Sequence, residues 1–314
     1  MMNNPETCWD IVVIGAGPAG LTAALYLARY RRKVLVVHDG NSRALRIPTT
    51  HNAPGFPEGI DGPLLIERMS RHAAAYGACT QEAEIIDIER SADSFRMRSS
   101  DGRVWESRAV VLASGILLNQ VDLAEDVHDA ALRAGVLRYC PICDGFEHTD
   151  QRIGVIGCDS DGAAEALFLR QYSPDITLMP LSHPALSEEQ ASELARAGIV
   201  VKTGALHALN PGPDGMEVHL EGEAAPLLFG VIYPALGSRP RAELAVRIGI
   251  ELEAEGCVPV HSIRGRCVPG VFAAGDVVEG LDQISVAMGH GALAATSAHN
   301  WLREQDRQTL QAAC

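Results

Sequence analysis

The chain of 314 residues has few basic residues and no long apolar run. Its 26 Lys and Arg stand against 40 Asp and Glu, which gives a formal net charge of −14 at pH 7. This charge argues against binding to nucleic acids or to anionic membranes. The longest apolar stretches, such as IVVIGAGPAGL, are too short and too rich in glycine to span a bilayer. The first residues, MMNNPETCWD, contain neither a basic region nor an apolar core, so we expect a cytoplasmic protein without a signal peptide.

The sequence also lacks a second closely spaced pair of cysteines. Six of its eight cysteines are scattered singly, which is not the density of a secreted disulfide scaffold. A structural zinc site usually needs four ligands, often in two close pairs, so we expect no metal site. The remaining pair, Cys140 and Cys143 in RYCPICDGFEH, is interpreted as a redox-active dithiol, and the alternative is two small buried residues.

One sequence pattern occurs twice. IVVIGAGPAGLTAALYLARY, from Ile11, aligns without a gap with IGVIGCDSDGAAEALFLRQY, from Ile153. Each copy has an apolar strand, a glycine turn and a helix with apolar positions at helical spacing, and a second apolar run follows. This pattern predicts an α/β protein with two Rossmann-like nucleotide-binding units and parallel sheets.

The first copy has the complete glycine pattern for binding a dinucleotide. Gly15 permits the tight turn, Gly17 lets a pyrophosphate approach the backbone, and Gly20 lets the helix pack closely on the strand. The phosphates would lie at a helix N-terminus, where free N–H groups favour anions. Nineteen residues after Gly20, Asp39 stands where an acid can bind ribose hydroxyls, and the neighbouring His38 is a second candidate.

The second copy departs from this pattern where phosphate would bind. It keeps Gly157 and Gly162 but has Asp159 at the middle position, and Asp161 adds a second negative charge. No Lys or Arg for a 2′-phosphate occurs from Gln171 to Leu194. A nicotinamide-type domain that has lost its nucleotide chemistry is therefore expected, and a variant loop that still binds NAD(P)H is the alternative.

These motifs set the predicted domain organisation. The strand in VVLASG closes the first half of the first unit, and GVFAAGDV, near the end of the chain, gives another strand that ends at Gly275 and Asp276. An acid at the carboxyl end of a strand can bind a cofactor hydroxyl. We therefore predict that the second domain, at residues 119–244, interrupts a first domain formed by residues 1–118 and 245–314.

With GAGPAG, CPICDG and GVFAAGDV in this order, the chain resembles the low-molecular-weight thioredoxin reductase family over nearly its whole length, including HNAPGFPEGIDGPLL. The resemblance implies an FAD domain, an inserted pyridine-nucleotide domain that carries the cysteine pair, and a homodimer. It places Cys143 against the flavin, Cys140 towards the incoming thiol, and Asp144 as the acid/base. It implies an FAD site formed by Gly15, Gly17, Pro18, Ala19, Gly20, His38, Asp39, Asn52, Gly115, Gly275, Asp276, Gln283 and Ile284.

The chain differs from the family pattern at two sites that concern NADPH. The middle glycine of the second unit is Asp159 and no basic cluster follows. In addition, the Arg-Gln-Ala that usually follows the Gly-Asp motif is Asp282-Gln283-Ile284. Similar losses occur in flavin dithiol oxidases of the gliotoxin and holomycin kind, and also in ferredoxin-linked or unassigned reductases. The resemblance therefore favours an FAD-dependent dithiol oxidase that forms a disulfide in a small dithiol substrate.

The cysteine pair suggests the chemistry but not its direction. A thiolate substrate would attack Cys140, and the electrons would leave through Cys143 and FAD to O2, which gives H2O2. His290 in AMGHGALAATSAHN, expected where the last helix begins, is a candidate proton relay, with a structural histidine as the alternative. A tail thiol, Cys314, could relay electrons. Competing functions are a thioredoxin reductase that uses NADPH or another donor and acts on a thioredoxin-like protein, and a non-catalytic flavoprotein.

Overall fold

A computed structural model of the chain describes residues 8–260 and 265–309, so Cys314 lies outside the described residues. The described chain divides into two compact units. Unit 1 lies within Met1–Ile47, Ile60–Leu117 and Arg239–Cys314, and unit 2 comprises Pro48–Gly59 and Leu118–Ser238. The long segment of unit 2 thus begins after Leu117, where the sequence predicted a boundary after residue 118. The chain returns to unit 1 at Arg239, where the sequence predicted a return at residue 245. Residues 48–59, predicted in the first domain, group with unit 2.

The helices and strands of the described residues are numbered in chain order. Helices α1 to α8 span Pro18–Arg29, Gly62–Ala75, Glu125–Ala134, Pro141–Asp144, Ser160–Leu169, Glu188–Arg196, Glu243–Arg247 and Ile284–Gln305. Strands β1 to β17 span Trp9–Ile14, Val34–His38, Cys79–Glu82, Ile85–Arg90, Phe95–Ser99, Val104–Leu112, Ile116–Leu118, Ile153–Ile156, Ile176–Met179, Val200–Val201, Leu206–Gly212, Gly215–Leu220, Leu227–Phe229, Val231–Pro234, Ser238–Pro240, Arg266–Val268 and Val271–Ala273. Short 3-10 turns occur at Arg43–Arg46 and Phe146–His148.

Unit 1 is built on a sheet of eight strands. Its main path is β16-β17-β6-β1-β2-β3, and the β4–β5 hairpin joins it through β6. Strands β17, β6, β1, β2 and β3 are parallel to one another, which is the arrangement the glycine motif predicts, and β16 and β5 pair with this set antiparallel. Helices α1 and α8 pack on one face, where Leu27 and Phe272 are fully buried. The opposite face has a second core, to which α7 contributes Ala245.

Unit 2 contains a smaller parallel sheet and a separate antiparallel one. The parallel sheet has the order β10-β9-β8-β14, and the antiparallel sheet has the order β11-β12-β13. One core lies under α5 and α6 and includes the buried Cys158. The other core includes Met216, Phe229 and Ile232. The α/β class, with two Rossmann-type units of which the second interrupts the first, is confirmed.

The two predicted copies of the nucleotide pattern form the same local structure. β1, α1 and β2 follow one another in unit 1, and β8, α5 and β9 do so in unit 2. In each copy a Cβ at the last glycine, Gly20 or Gly162, would collide with the carbonyl oxygen of the first, Gly15 or Gly157. Glycine is required there because the helix starts against the backbone of its own turn.

Two sequence-based boundaries differ from the structure. The strand expected in VVLASG forms only the last three residues of a longer strand, because β6 begins at Val104, where it pairs with the hairpin strand β5, and ends at Leu112. Helix α8 begins at Ile284, so His290 lies in its second turn and not at its start. No helix within residues 8–260 and 265–309 is long and apolar enough to span a membrane.

Candidate active site

The cysteine pair stands at the single-turn helix α4. Cys140 is the N-cap residue, Pro141 is the first helical residue, and the N–H of Cys143 donates to the carbonyl oxygen of Cys140 at 2.9 Å. Proline suits this position because it has no N–H to leave unpaired and its φ is already helical. Cys140 and Cys143 are half-buried and joined as a disulfide, with their Cα atoms 5.3 Å apart. The pair is thus both oxidised and within reach of solvent.

Asp144, the residue after Cys143, is held by two donors. The hydroxyl of Tyr233 donates to its Oδ1 at 2.7 Å, and Nε of Arg138 lies 3.0 Å from its Oδ2. Burial raises the pKa of Asp144 above its usual range, and Tyr233, Arg138 and His148 partly offset that rise. Burial, together with the same carboxylate, strongly raises the pKa of Tyr233, so the tyrosine remains a donor. The predicted acid/base residue therefore has a fixed orientation and a perturbed pKa, two features of catalytic groups.

Arg138 and Tyr233 were missed by sequence analysis. Arg138 lies two residues before Cys140, so an arginine beside a redox motif could have been noticed as a partner for Asp144. Tyr233 is 89 residues from Asp144 in the chain and lies in the apolar strand β14, VIYP, where nothing in the local pattern distinguishes it from a core residue.

The glycine loop of unit 1 ends in a helix whose first turn is free to bind an anion. Gly17 is the N-cap of α1 and Pro18 is its first residue, and no described side chain caps this end. Free N–H groups at a helix N-terminus, together with the helix dipole, stabilise phosphate. Ala19 packs beside Gly275, because a Cβ on that glycine would lie 2.7 Å from the Cβ of Ala19. The predicted residues of the loop and the Gly-Asp motif are thereby brought together.

Asp276 and Arg43 form a charged pair beside this loop. Nη1 of Arg43 lies 3.4 Å from Oδ2 of Asp276 and 4.0 Å from Oδ2 of Asp282. The preceding residue, Ser42, lies next to the loop. A Cβ added to Gly17 would be 3.4 Å from Oγ of Ser42. Burial and the charge of Asp282 raise the pKa of Asp276 to about 6, against the opposing effect of Arg43. Arg43 was missed by sequence analysis because it lies outside the motifs from which the FAD site was predicted.

Asp39, predicted to bind ribose, is paired with another missed cation. Its Oδ2 lies 2.7 Å from Nη2 of Arg241, and its Oδ1 accepts from the N–H of Asn41 at 3.0 Å. Burial would raise the pKa of Asp39, but these two partners outweigh burial and lower it. His38, the other candidate, ends β2, and its Nδ1 accepts from the N–H of Gly40 at 3.1 Å.

The remaining predicted site residues fall in different places. Gln283 is the N-cap of α8 and Ile284 is its first residue, and Gly115 has the left-handed φ of +69° after β6. His290 is half-buried, and its Nδ1 is buried without a hydrogen-bond partner among the described residues. Asn52 groups with unit 2, where its side-chain amide lies 3.4 Å from the carbonyl oxygen of Ile142. Its predicted role at FAD stays a prediction.

The degenerate glycine loop of unit 2 is occupied by its own side chain. Asp159 is the N-cap of α5, and its Oδ1 accepts from the N–H of Gly162 at 3.0 Å. This is the N–H group that would otherwise be free to bind a phosphate oxygen. One turn further along, Oε2 of Glu165 is buried without a hydrogen-bond partner among the described residues. Burial, Asp161 and Asp159 raise the pKa of Glu165 to about 7.

Comparisons with known proteins agree with this geometry. The family model described as pyridine nucleotide-disulphide oxidoreductase matches residues 9–291. A thioredoxin reductase from Mycolicibacterium smegmatis is 33% identical over 97% of this chain and 100% of its own length. The chain belongs to this family and is thioredoxin reductase-like. The crystal structure of HlmI has a TM-score of 0.89 and 29% identity, with 98% of this chain and 96% of that one covered. A thioredoxin reductase from Streptococcus pyogenes, 24% identical, has the same fold with a TM-score of 0.86 and coverage of 95% and 99%.

The protein is therefore an FAD-dependent disulfide oxidoreductase, and the described residues of unit 1 fit that cofactor. The uncapped end of α1 suits the pyrophosphate. Arg43 supplies a positive charge next to the loop, and the buried Asp276 can hydrogen-bond a hydroxyl group. Within the described residues no group of three or more His, Cys, Asp or Glu side chains could hold a metal ion.

Proposed function

We propose that this disulfide oxidoreductase is a dithiol oxidase of the gliotoxin and holomycin type. It forms a disulfide in a small dithiol substrate and transfers the electrons through Cys140, Cys143 and FAD to O2, which becomes H2O2. Its catalytic residues are Cys140, Cys143, Asp144 and His290. The FAD site comprises Gly15, Gly17, Pro18, Ala19, Gly20, His38, Asp39, Asn52, Gly115, Gly275, Asp276, Gln283 and Ile284, and Arg43 is added to it.

The self-capped end of α5 is the observation that carries this proposal. In unit 1 no described side chain caps the equivalent helix end, and in unit 2 the carboxylate of Asp159 already satisfies the N–H of Gly162. A dinucleotide would have to displace this carboxylate and lie beside Asp161 as well. Two unit charges 4 Å apart repel by about 4 kcal/mol at an effective dielectric constant of 20. Without a basic residue from Gln171 to Leu194 to offset that repulsion, NADPH is a poor electron donor.

The residues of unit 2 perform the exchange with the substrate. A substrate thiolate attacks Sγ of Cys140, the disulfide bond breaks, and Cys143 leaves with the electron pair as a thiolate. The second substrate thiol resolves the mixed disulfide, so the substrate is oxidised by two electrons and the cysteine pair is reduced. Bound FAD supplies the carrier that takes these electrons from the pair and passes them to O2. His290, whose buried Nδ1 has no hydrogen-bond partner among the described residues, is the candidate proton relay in unit 1.

Thioredoxin reduction is the second candidate function. It is favoured by the curated relatives, since the M. smegmatis protein, 33% identical, is named thioredoxin reductase. In that case electrons flow in the opposite direction, from NADPH or another donor to a thioredoxin-like protein. The redox pair serves either direction, because direction depends on reduction potentials and not on cysteine spacing.

The test is a comparison of electron donors and acceptors on the purified holoenzyme. We expect flavin bleaching under anaerobic conditions with a small dithiol and little bleaching with micromolar NADPH or NADH. In air, the dithiol should support continuous O2 uptake with release of H2O2, and Cys140→Ser should abolish both. Fast stoichiometric bleaching by NADPH would favour the reductase. Dithiol oxidation that stops after one flavin equivalent, without O2 uptake, would exclude O2 as the acceptor.

A further inference from the structure

Both oxygens of the Asp144 carboxylate are held by side chains that the family motif does not include. Oδ1 accepts from the hydroxyl of Tyr233 at 2.7 Å, and Oδ2 lies 3.0 Å from Nε of Arg138. A carboxylate has about four lone-pair sites, so two donors leave room for one proton. The arrangement therefore fixes the carboxylate without preventing it from acting as a base.

The guanidinium of Arg138 is itself fixed by the end of α3. Its Nη1 donates to the carbonyl oxygen of Leu132 at 2.6 Å and lies 3.3 Å from that of Leu137. The carbonyl of Leu132 belongs to the last turn of α3, and it also accepts from the N–H of the C-cap residue Gly135 at 3.2 Å. Gly135 ends this helix in the left-handed region at φ +82°, and a Cβ there would lie 3.2 Å from Nη2 of Arg138. Arg138 thus bridges the end of α3 and Asp144.

Strand β14 fixes the positions of both Tyr233 and Arg138. Tyr233 is fully buried in β14, and the N–H of Arg138 donates to the carbonyl oxygen of its neighbour Ile232 at 2.9 Å. The ring of His148 meets the Tyr233 ring edge-on, with centroids 6.0 Å apart. Both donors to Asp144 are therefore attached to rigid parts of unit 2, although they are far apart in sequence.

We infer that Arg138 and Tyr233 are positioning residues that hold Asp144 ionised and in one orientation as the base for thiol–disulfide exchange at Cys140–Cys143. The inference rests on the proposed function only in taking a small dithiol as the reductant. In the step, a substrate thiol gives its proton to Asp144 and its sulfur bonds to Sγ of Cys140. The Cys140–Cys143 bond breaks, and Cys143 leaves as a thiolate with the electron pair.

The charges around Asp144 determine the sign of the expected pH effect. Burial and the charge of Glu147 raise the pKa of Asp144, and Tyr233, Arg138 and His148 lower it. Removing Arg138 or Tyr233 therefore raises this pKa further. A base is active only when ionised, so the acidic limb of the rate profile should move to higher pH.

The experiment measures one exchange step and does not depend on any electron acceptor. Oxidised holoenzyme is mixed anaerobically with excess dithiothreitol between about pH 4 and pH 8, a range that brackets a carboxyl group with a raised pKa. The reaction is quenched with N-ethylmaleimide, and alkylation of Cys140 and Cys143 is followed by mass spectrometry. The variants are Arg138→Gln, Arg138→Lys, Tyr233→Phe and Asp144→Asn, with Arg133→Gln as the control. Arg133 is exposed in the last turn of α3.

We expect Arg138→Gln to shift the midpoint of the acidic limb upward by about one pH unit, which is a tenfold change in proton affinity. Tyr233→Phe should shift it in the same direction, and Arg138→Lys should restore part of the shift because it restores the charge. Asp144→Asn should remove the limb and lower the plateau rate by about 10²- to 10⁴-fold, the usual range for a general base. Arg133→Gln should leave the profile unchanged.

Two results would overturn the inference. One is a lower melting temperature for Arg138→Gln with an unchanged midpoint, which would make Arg138 a structural residue. The other is an acidic limb that persists in Asp144→Asn, which would assign the base to another group. Failure of the proposed oxidase function is a separate outcome, since wild-type protein that takes up no O2 can still carry out the exchange with this pH profile.

Discussion

At the residue scale, the two cysteines have different predicted roles that a trapping experiment can separate. If Cys140 receives the substrate thiolate, removing the resolving partner should leave a stable mixed disulfide on Cys140. We expect Cys143→Ser, treated with the disulfide of a small monothiol, to accumulate this adduct, because the Cys140 thiolate displaces one thiolate of the reagent and the variant has no Cys143 thiolate to displace the other. Intact-mass and peptide mapping detect the adduct. An adduct that forms on Cys143 in Cys140→Ser, and not on Cys140 in Cys143→Ser, would reverse the two roles.

Arg43 carries a second prediction at this scale. It is the cation beside the glycine loop and Asp276, at 3.4 Å from the latter, and FAD brings two negative phosphate charges. Arg43→Gln should therefore weaken FAD binding by about tenfold, equivalent to about 1.4 kcal/mol. The same change should raise the pKa of Asp276 further, because Arg43 opposes that rise.

Equilibrium dialysis of FAD against apoprotein measures this loss. The exposed Arg46 lies in the same 3-10 turn, so Arg46→Gln is the matched control for a change in net charge. Equal losses in the two variants would mean that long-range charge, and not the position of Arg43, governs FAD affinity.

At the element scale, the ends of α1 and α5 differ in what stabilises them. Asp159 caps α5, so Asp159→Ala should lower the free energy of unfolding by about 1 kcal/mol, the usual cost of losing an N-cap. Urea denaturation followed by circular dichroism measures this loss. Asp159→Asn keeps an oxygen acceptor and should retain most of the stability. A loss as large in Asp159→Asn as in Asp159→Ala would contradict the role of the cap.

The raised pKa of Glu165, in the second turn of α5, leads us to expect that the free energy of unfolding depends on pH. Its folded-state pKa is raised from 4.5 to about 7, first by burial and then by Asp161 and Asp159. The folded state therefore binds a proton more tightly than the unfolded state, and this stabilisation is complete below pH 4.5 and lost as pH rises through 7. Glu165→Gln should raise the melting temperature relative to wild type more at pH 8 than at pH 5. An equal difference at both pH values would show that Glu165 is not protonated preferentially in the folded state.

Sequence predicted the elements of this protein better than it predicted the partners of its charged groups. The repeated strand, glycine turn and helix follow from local periodicity, so β1, α1, β8 and α5 could be placed from sequence. Sequence analysis identified Asp159 only as a negative charge at the phosphate position of the loop. It did not predict that Asp159 caps α5, because a capping hydrogen bond depends on the local backbone geometry. The contacts of Asp144 with Tyr233 and of Asp39 with Arg241 join residues 89 and 202 positions apart, and no local pattern specifies them.

At the scale of the whole molecule, the two units should respond differently to ligands. A ligand that binds only the folded state raises stability by mass action. We expect the protein to purify yellow with FAD, and added FAD should raise the melting temperature of apoprotein. Millimolar NADP⁺ should not change it, because the end of α5 is already occupied. Thermal shift assays with each nucleotide provide the measurement, and a colourless protein that takes up no FAD, or a clear shift with NADP⁺, would contradict this expectation.

The capped end of α5 also constrains how the sequence can evolve. Under the proposed function, binding of NADPH to unit 2 would require removal of the Asp159 carboxylate and the arrival of basic residues in a stretch, Gln171 to Leu194, that has none. The first change alone leaves the helix end without its hydrogen bond, and the second alone places cations beside a site that an acid still blocks. Each intermediate is therefore less stable or no better at binding than its ancestor, so selection has no gradual route back. Under the proposed function, a lineage that acquires this aspartate exchanges its electrons with a carrier other than a nicotinamide nucleotide.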